Sequence, residues 1–260
     1  MDSVSKTLYI PLYGKAYVSR RGIILPDPKA EALWEAEKIP LRGKAASKWL
    51  AYYMAMRSAV YDRWLREQLD RDPEAVVLHL GCGMDSRVLR VEHPGRKWYD
   101  VDFPDVIRQR RRHFEESRTD RMICGDLREK DWLEEMSGDR ALVVMEGVSM
   151  YLEPRELRKL LENLASRFQK VSLLTDHYTE LAARLSRRHN PINSVGVTEV
   201  FGLDDPGEVE TQELFFLREH SITPPELIEQ LSPMERKIFR KLYAGKLSGR
   251  LYKMYEYGTK

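Results

Sequence analysis

The chain has 260 residues, 42% of them apolar, and its 43 basic and 41 acidic side chains leave a formal charge of only +2. This length suits one α/β domain with a helical elaboration and a full core, and the balanced charge argues against nucleic acid or an anionic membrane as partner. No apolar run approaches the about 18 residues of a membrane span, nothing reads as a secretory leader, and the two cysteines, Cys82 and Cys124, imply a reduced, cytoplasmic protein.

Before the first strand, residues 1–72 alternate between loop and helix. A short helix is expected from Asp27 to Lys38 and a longer one from Lys44 to Asp70, where Trp49, Tyr53, Met56, Val60, Trp64 and Leu69 make an apolar stripe. A stripe of that kind docks on a core, so this segment is read as a cap on the same domain as residues 73–260.

From Val76 onward strand and helix alternate. Strands are expected at Val76 to Leu80, Trp98 to Val101, Arg121 to Gly125, Ala141 to Met145 and Val171 to Thr175, with Glu213 to Leu217 and Gly249 to Tyr257 as a closing, hairpin-like pair. Pro154 to Phe168 is the clearest helix, with Pro in its first turn, Glu153 and Glu156 at its positive end, and Leu157, Leu160, Leu161 and Leu164 on one face. Further helices run from Asp176 to about His189 and from near Pro224. Right-handed crossovers then give a seven-stranded, mostly parallel, Rossmann-like α/β sheet with helices on both faces.

The stretch VVLHLGCGMDSR, Val76 to Arg87, joins a buried strand to a turn at Gly81, Cys82 and Gly83, where a backbone must approach something closely. Asp102 ends the next strand, nineteen residues after Gly83, where its carboxylate can accept both hydroxyls of an adenosine ribose. A dinucleotide fingerprint requires a third glycine where this chain has Ser86, and Asp85 just before it would repel a diphosphate. S-adenosylmethionine, which carries adenosine and an ammonium but no phosphate, is therefore favoured over NAD.

Ligands of such sheets bind beyond the carboxyl ends of the strands, where Asp102, Asp126, Glu146 and Asp176 also fall. Asp126 is assigned to the adenine edge, whereas Asp176 reads better as the N-cap of the following helix. Both cysteines read as buried and structural, and the run Arg108, Arg110, Arg111, Arg112 and His113 as a solvated helix face. The six scattered histidines offer no metal-ligand spacing, so no metal is expected.

LGCGMDSR, WYDVDFP, GDLRE and MEGVSMYL, in that order and spacing, resemble the leucine carboxyl methyltransferase family, which includes the tetracenomycin-type polyketide O-methyltransferases. The motifs cover Lys15 to Tyr151 well, and the likeness is loose beyond Tyr178. The resemblance implies a class I methyltransferase core with an N-terminal helical cap, S-adenosylmethionine as cofactor, and a carboxylate or hydroxyl acceptor on a small molecule or a protein C-terminus. It places Arg57 on the methionyl carboxylate, Gly81 on the methionyl part, Asp102 on the ribose, Asp126 and Leu127 on the adenine edge, and Glu146 after the fourth strand. Lys15 is the best match for a second basic contact, with Arg20 and Arg21 as alternatives. Arg128 and Tyr151 match the substrate-carboxylate contacts. Three departures stand out: Ser86 where many members have Thr, Ser149 before Tyr151, and extra sequence around Leu25 and Pro26.

A carboxylate acceptor needs no general base, and Arg128 and Tyr151 would orient it. A hydroxyl acceptor needs one, for which His177 is the candidate, although a lone histidine at a strand end is more often structural. A protein that kept the fold and lost the chemistry is the alternative reading. Residues Asn190 to Thr211, Asn193 and Val197 among them, are expected to shape the acceptor pocket.

Overall fold

The computed structural model describes residues 8–37, 41, 43–189, 200–245 and 248–260. At its centre β1 (Val76–Leu80) is buried along its whole length, as expected of a VVLHL run with no face suited to solvent. Val76, Leu78 and Leu80 enter one hydrophobic layer while Val77 enters the other. β2 (Trp98–Asp102), β3 (Asp120–Cys124), β4 (Arg140–Met145) and β5 (Lys170–Tyr178) run parallel to it. β6 (Leu214–Glu219) and β7 (Tyr252–Thr259) close one edge antiparallel, giving the order β3-β2-β1-β4-β5-β7-β6. The chain thus moves outward from β1 to β3 and returns to place β4 on the other side of β1, which opens a crevice at the carboxyl ends of these strands.

Among the described residues, α1 (Tyr9–Ser19), α2 (Pro28–Glu37) and α3 (Lys48–Arg71) form the cap. α3 buries Met56, Val60, Trp64 and Leu69 of its expected stripe. α1 was not distinguishable from loop in the sequence, because Pro11 and Gly14 interrupt it. Pro11 lies in the first turn, where no helical hydrogen bond is lost, and Gly14 permits close approach to α3: a Cβ there would sit 3.1 Å from the Ala51 carbonyl oxygen. The short α4 (Arg87–Arg90) and α5 (Pro104–Arg110) follow β1 and β2. α6 (Pro154–Arg167) buries the four predicted leucines and starts with a capping box between Glu153 and Glu156. α7 (Glu180–His189), α8 (Pro225–Ile228) and α9 (Pro233–Leu242) complete the set.

Cap and sheet are joined by buried ions. Asp27, ahead of α2, accepts from the Ala30 amide at 2.9 Å, from the Ser86 hydroxyl at 2.6 and 2.7 Å, and from Arg90 Nη1 at 2.6 Å. Arg90 also reaches Asp62 on α3 at 2.8 Å and Asp85 at 2.9 Å.

Three expectations need correction. β5 continues to Tyr178 because β7 pairs with it from Ser172 through Tyr178, so Asp176 and His177 lie within a strand and Asp176 is not a helix N-cap. Arg110 is not part of a solvated face but fully buried, and Cys124 is exposed rather than buried.

Candidate active site

Gly81 and Gly83 have φ of 64° and 51°, the left-handed region that side chains avoid. A Cβ on Gly81 would also lie 2.3 Å from a Val148 methyl. The resulting turn is fixed from below. Arg110 donates to the Gly83 and Asp85 carbonyls at 3.1 and 2.7 Å and grips Asp100 through Nε and Nη2 at 2.9 and 2.6 Å. Asp100 in turn accepts from His79 Nδ1 at 3.0 Å, while His79 Nε2 faces Arg87 Nη1 at 3.2 Å. A neutral imidazole with its proton on Nδ1 satisfies both contacts, and burial lowers the His79 pKa.

Asp102 projects from the end of β2 beside this turn. Its two oxygens accept from the Gly83 and Phe103 amides, each at 2.8 Å. Burial nevertheless pushes its carboxyl up to about 6, the state of an acceptor whose remaining lone pairs have no partner among the described residues. On the neighbouring strand end, Asp126 takes the Arg128 backbone amide at 3.0 Å and its guanidinium Nε at 2.9 Å. Leu127 is buried beside them.

The cap delivers the cations. Lys15 on α1 is buried and pairs with Asp85 at 3.0 Å. Arg20 and Arg21 face away, toward Glu35 and Glu235. Arg57 on α3 donates through Nε to Glu146 at 3.2 Å and through Nη1 to Asp176 at 3.1 Å and the Tyr252 hydroxyl at 2.7 Å. Glu146 also pairs with Arg87. Burial alone would raise the Glu146 pKa, but Arg57 and Arg87 outweigh it and hold the carboxyl at about 2.

One cavity of about 1000 Å³ collects these groups. Lys15, Arg57, Gly81, Cys82, Gly83, Asp102, Asp126, Leu127, Arg128, Glu146 and Tyr151 all line it. His79, Asp85, Asp105 and Ser186 also line it, and most of the remaining wall is apolar or aromatic, from Leu8, Leu50, Tyr53, Met54, Met150, Tyr178, Leu185, Tyr243 and others. Burial pushes the Cys82 thiol far up, so it contributes a surface and not a nucleophile.

The structure does not bring His177 or residues 200–211 to this cavity. His177 does not line the cavity: strand alternation points it to the opposite face from Asp176, its ring lies 5.3 Å from that of Tyr255, and its Nε2 is buried without a partner. Desolvation lowers its pKa to about 3. Residues 200–211 do not line the cavity either, since Leu203 and Val209 pack into the sheet core; Asn193 and Val197 lie outside the described residues. The residues that sequence reasoning missed are Asp62, His79, Arg87, Asp100 and Arg110 beneath the turn. Only the acid–arginine alternation MDSR, followed by LR, hinted at them.

Residues 13–165 match the family model for leucine carboxyl methyltransferase. The chain belongs to that family. It is 29% identical over 242 residues to a tetracenomycin polyketide synthesis O-methyltransferase of Streptomyces glaucescens, covering 91% of this chain and 89% of the relative. An S-adenosyl-L-methionine-dependent methyltransferase of Gibberella zeae is 30% identical over 184 residues, covering 65% of this chain and 62% of that one. The magnesium protoporphyrin IX methyltransferase of Synechocystis, solved with S-adenosylhomocysteine bound, superposes with a TM-score of 0.50 at 10% identity over 89% of this chain and 95% of that one, a likeness of fold. The protein is an S-adenosylmethionine-dependent O-methyltransferase. Its crevice fits that cofactor: the glycine turn has no room for a side chain, Asp102 is an under-used buried acceptor, and Asp85 occupies the place a diphosphate would need.

Asp102 and His177 each carry a pH prediction. Ribose hydroxyls placed on Asp102 would donate to its ionised form, so S-adenosylhomocysteine affinity is expected to fall as pH drops through 6, to about a tenth at pH 5 of its value at pH 7.5. Calorimetry across this range should also show the dependence vanish in Asp102→Asn; a flat wild-type profile contradicts it. For His177, the unfolded chain gains a proton below about 6.5 that the folded chain refuses, so this residue costs stability as pH falls from there. His177→Leu should therefore lose less Tm than wild type between pH 7.5 and 5 while keeping its turnover, and loss of turnover would return His177 to the reaction.

Proposed function

We propose that the acceptor is a small, largely apolar, ring-containing molecule that presents a carboxylate, and that the cofactor lies across the glycine turn. The observation that carries this reading is the division of the cavity. One end gathers Lys15, Arg57, Asp85 and Glu146, the other is tyrosine and aliphatic surface, and the one histidine on the wall, His79, is held by Asp100 and Arg87. With no imidazole among the described residues placed to remove a proton, an acceptor that arrives already ionised suits this wall best.

The adenosine would run from Asp102 to Leu127 and Asp126, and the methionyl group toward Lys15, Arg57 and Glu146. Its carboxylate pairs with the cations and its ammonium with the acids. Bound S-adenosylmethionine supplies an electrophilic methyl group on a sulfonium. The protein's task is positioning. Transfer to a carboxylate cancels two charges, so a wall that excludes water favours the transition state over the separated ions. Tyr53, Tyr178 and Leu185 provide that exclusion. Arg128, half exposed and paired with the less exposed Asp126, can turn to the acceptor carboxylate at little cost, since such surface pairs are worth roughly 0–1 kcal/mol. Tyr151 is the second orienting group. The Streptomyces relative is by its name an O-methyltransferase of tetracenomycin polyketide synthesis, and a cavity of this size and lining accommodates a bulky, largely apolar acceptor.

Incubation with methyl-labelled cofactor and a panel of aryl carboxylic acids, the matching phenols and a leucine-terminated peptide discriminates the acceptors. The expected product is a methyl ester, which releases labelled methanol in alkali, formed from the aryl acids. Arg128→Ala should raise the acceptor KM about tenfold or more, in line with losing one charged hydrogen bond. A base-stable methyl ether, or methylation of the peptide alone, would overturn the reading.

A further inference from the structure

The Asp176 carboxylate is fully buried and does not reach the cavity, yet it collects four hydrogen bonds from three separate segments of the chain. Oδ1 accepts from the Tyr61 hydroxyl at 2.5 Å and the Gly147 amide at 2.9 Å; Oδ2 accepts from Arg57 Nη1 at 3.1 Å and from the Tyr252 hydroxyl. These donors come from α3, the loop after β4, and β7, and they use the four lone-pair positions a carboxylate offers. Arg57, Gly147 and Tyr252 lie on the cavity wall, whereas Asp176 and Tyr61 stand behind it.

The consequence falls on Arg57. With Nε and Nη2 both 3.2 Å from Glu146 Oε1 and both Nη1 hydrogens on Asp176 and Tyr252, the guanidinium plane is fixed along two edges, and the Nη2 hydrogen that points away from Glu146 is left for a ligand. Gly147 keeps that end clear, for a Cβ there would come 3.1 Å from Nη2. An unbraced arginine has several rotors and would swing onto Glu146 alone. We propose that Asp176, locked by Tyr61 and Tyr252, is the positioning residue that aims Arg57 at the methionyl carboxylate of the cofactor. Because Tyr252 also packs against Tyr53 and Tyr178 at 6.2 and 5.1 Å, the same brace is continuous with the apolar end of the cavity.

The proposal rests on the reading that Arg57 meets the methionyl carboxylate, and a ligand pair separates the two. S-adenosylhomocysteine carries that carboxylate; methylthioadenosine retains the adenosine and thioether and lacks it. Calorimetry of wild type, Asp176→Asn and Tyr252→Phe with both ligands is expected to show S-adenosylhomocysteine binding weakened roughly ten- to hundredfold in the variants, the range for a charged hydrogen bond. Methylthioadenosine binding should stay within twofold of wild type. Equal losses for both ligands, or none for either, would overturn the positioning role. Wild type that binds the two ligands equally, or Arg57→Ala that does not weaken S-adenosylhomocysteine, would instead overturn the placement of the carboxylate at Arg57. Should Asp176→Asn not fold, Tyr252→Phe, which removes one hydroxyl and keeps the ring, decides the question.

Discussion

A set of carboxylates gathered at one sheet edge must be neutralised out of water, and this constraint organises the molecule. Asp85, Asp100, Glu146 and Asp176 are all buried or nearly so where the strands end. An unpaired charge there would be prohibitively costly, whereas breaking an established buried pair costs roughly 3–5 kcal/mol. The cations come from two places. Lys15 and Arg57 descend from the cap, and Arg87, Arg90 and Arg110 rise from the helices that follow β1 and β2. The cap is therefore chemically part of the crevice and supplies its positive charge as well as its apolar cover.

On the carboxylate-acceptor reading, the same network lets the enzyme act by positioning alone. Its ion pairs are set in place before any ligand arrives, so no reorganisation is needed when charges on donor and acceptor cancel. Arg110 and Asp100 hold the glycine turn from beneath, Asp102 waits at its side with spare acceptor capacity, and Asp176 steadies Arg57 from behind. The reacting end of the cavity is left to tyrosines and aliphatic side chains, which contribute shape and dryness.

Much of this was legible in the sequence because the strands are short branched runs set off by glycine and proline. β1 ends where VVLHL meets Gly81, and β2 where WYDVD meets Phe103 and Pro104. The crevice-lining residues on those ends were legible for the same reason: position at a strand terminus fixes where a side chain points. What escaped depends on partners distant in sequence. Asp176 looked like a cap because TDHY follows an apolar run, and only pairing with β7 extends the strand through it. Arg110 sat in an arginine-rich run that reads as solvated, yet the helix stops at that residue and turns its side chain beneath the glycine turn. His177 was attractive by proximity to the sheet edge, but alternation along β5 sends it to the other face.

The most direct test of this account is a crystal structure of the protein grown with S-adenosylhomocysteine. The ribose hydroxyls should lie within hydrogen-bond distance of Asp102, the adenine beside Leu127, and the homocysteine carboxylate against Lys15 and Arg57, with the Asp176 brace unmoved. An adenosine seated elsewhere, or a carboxylate that avoids both cations, would contradict it.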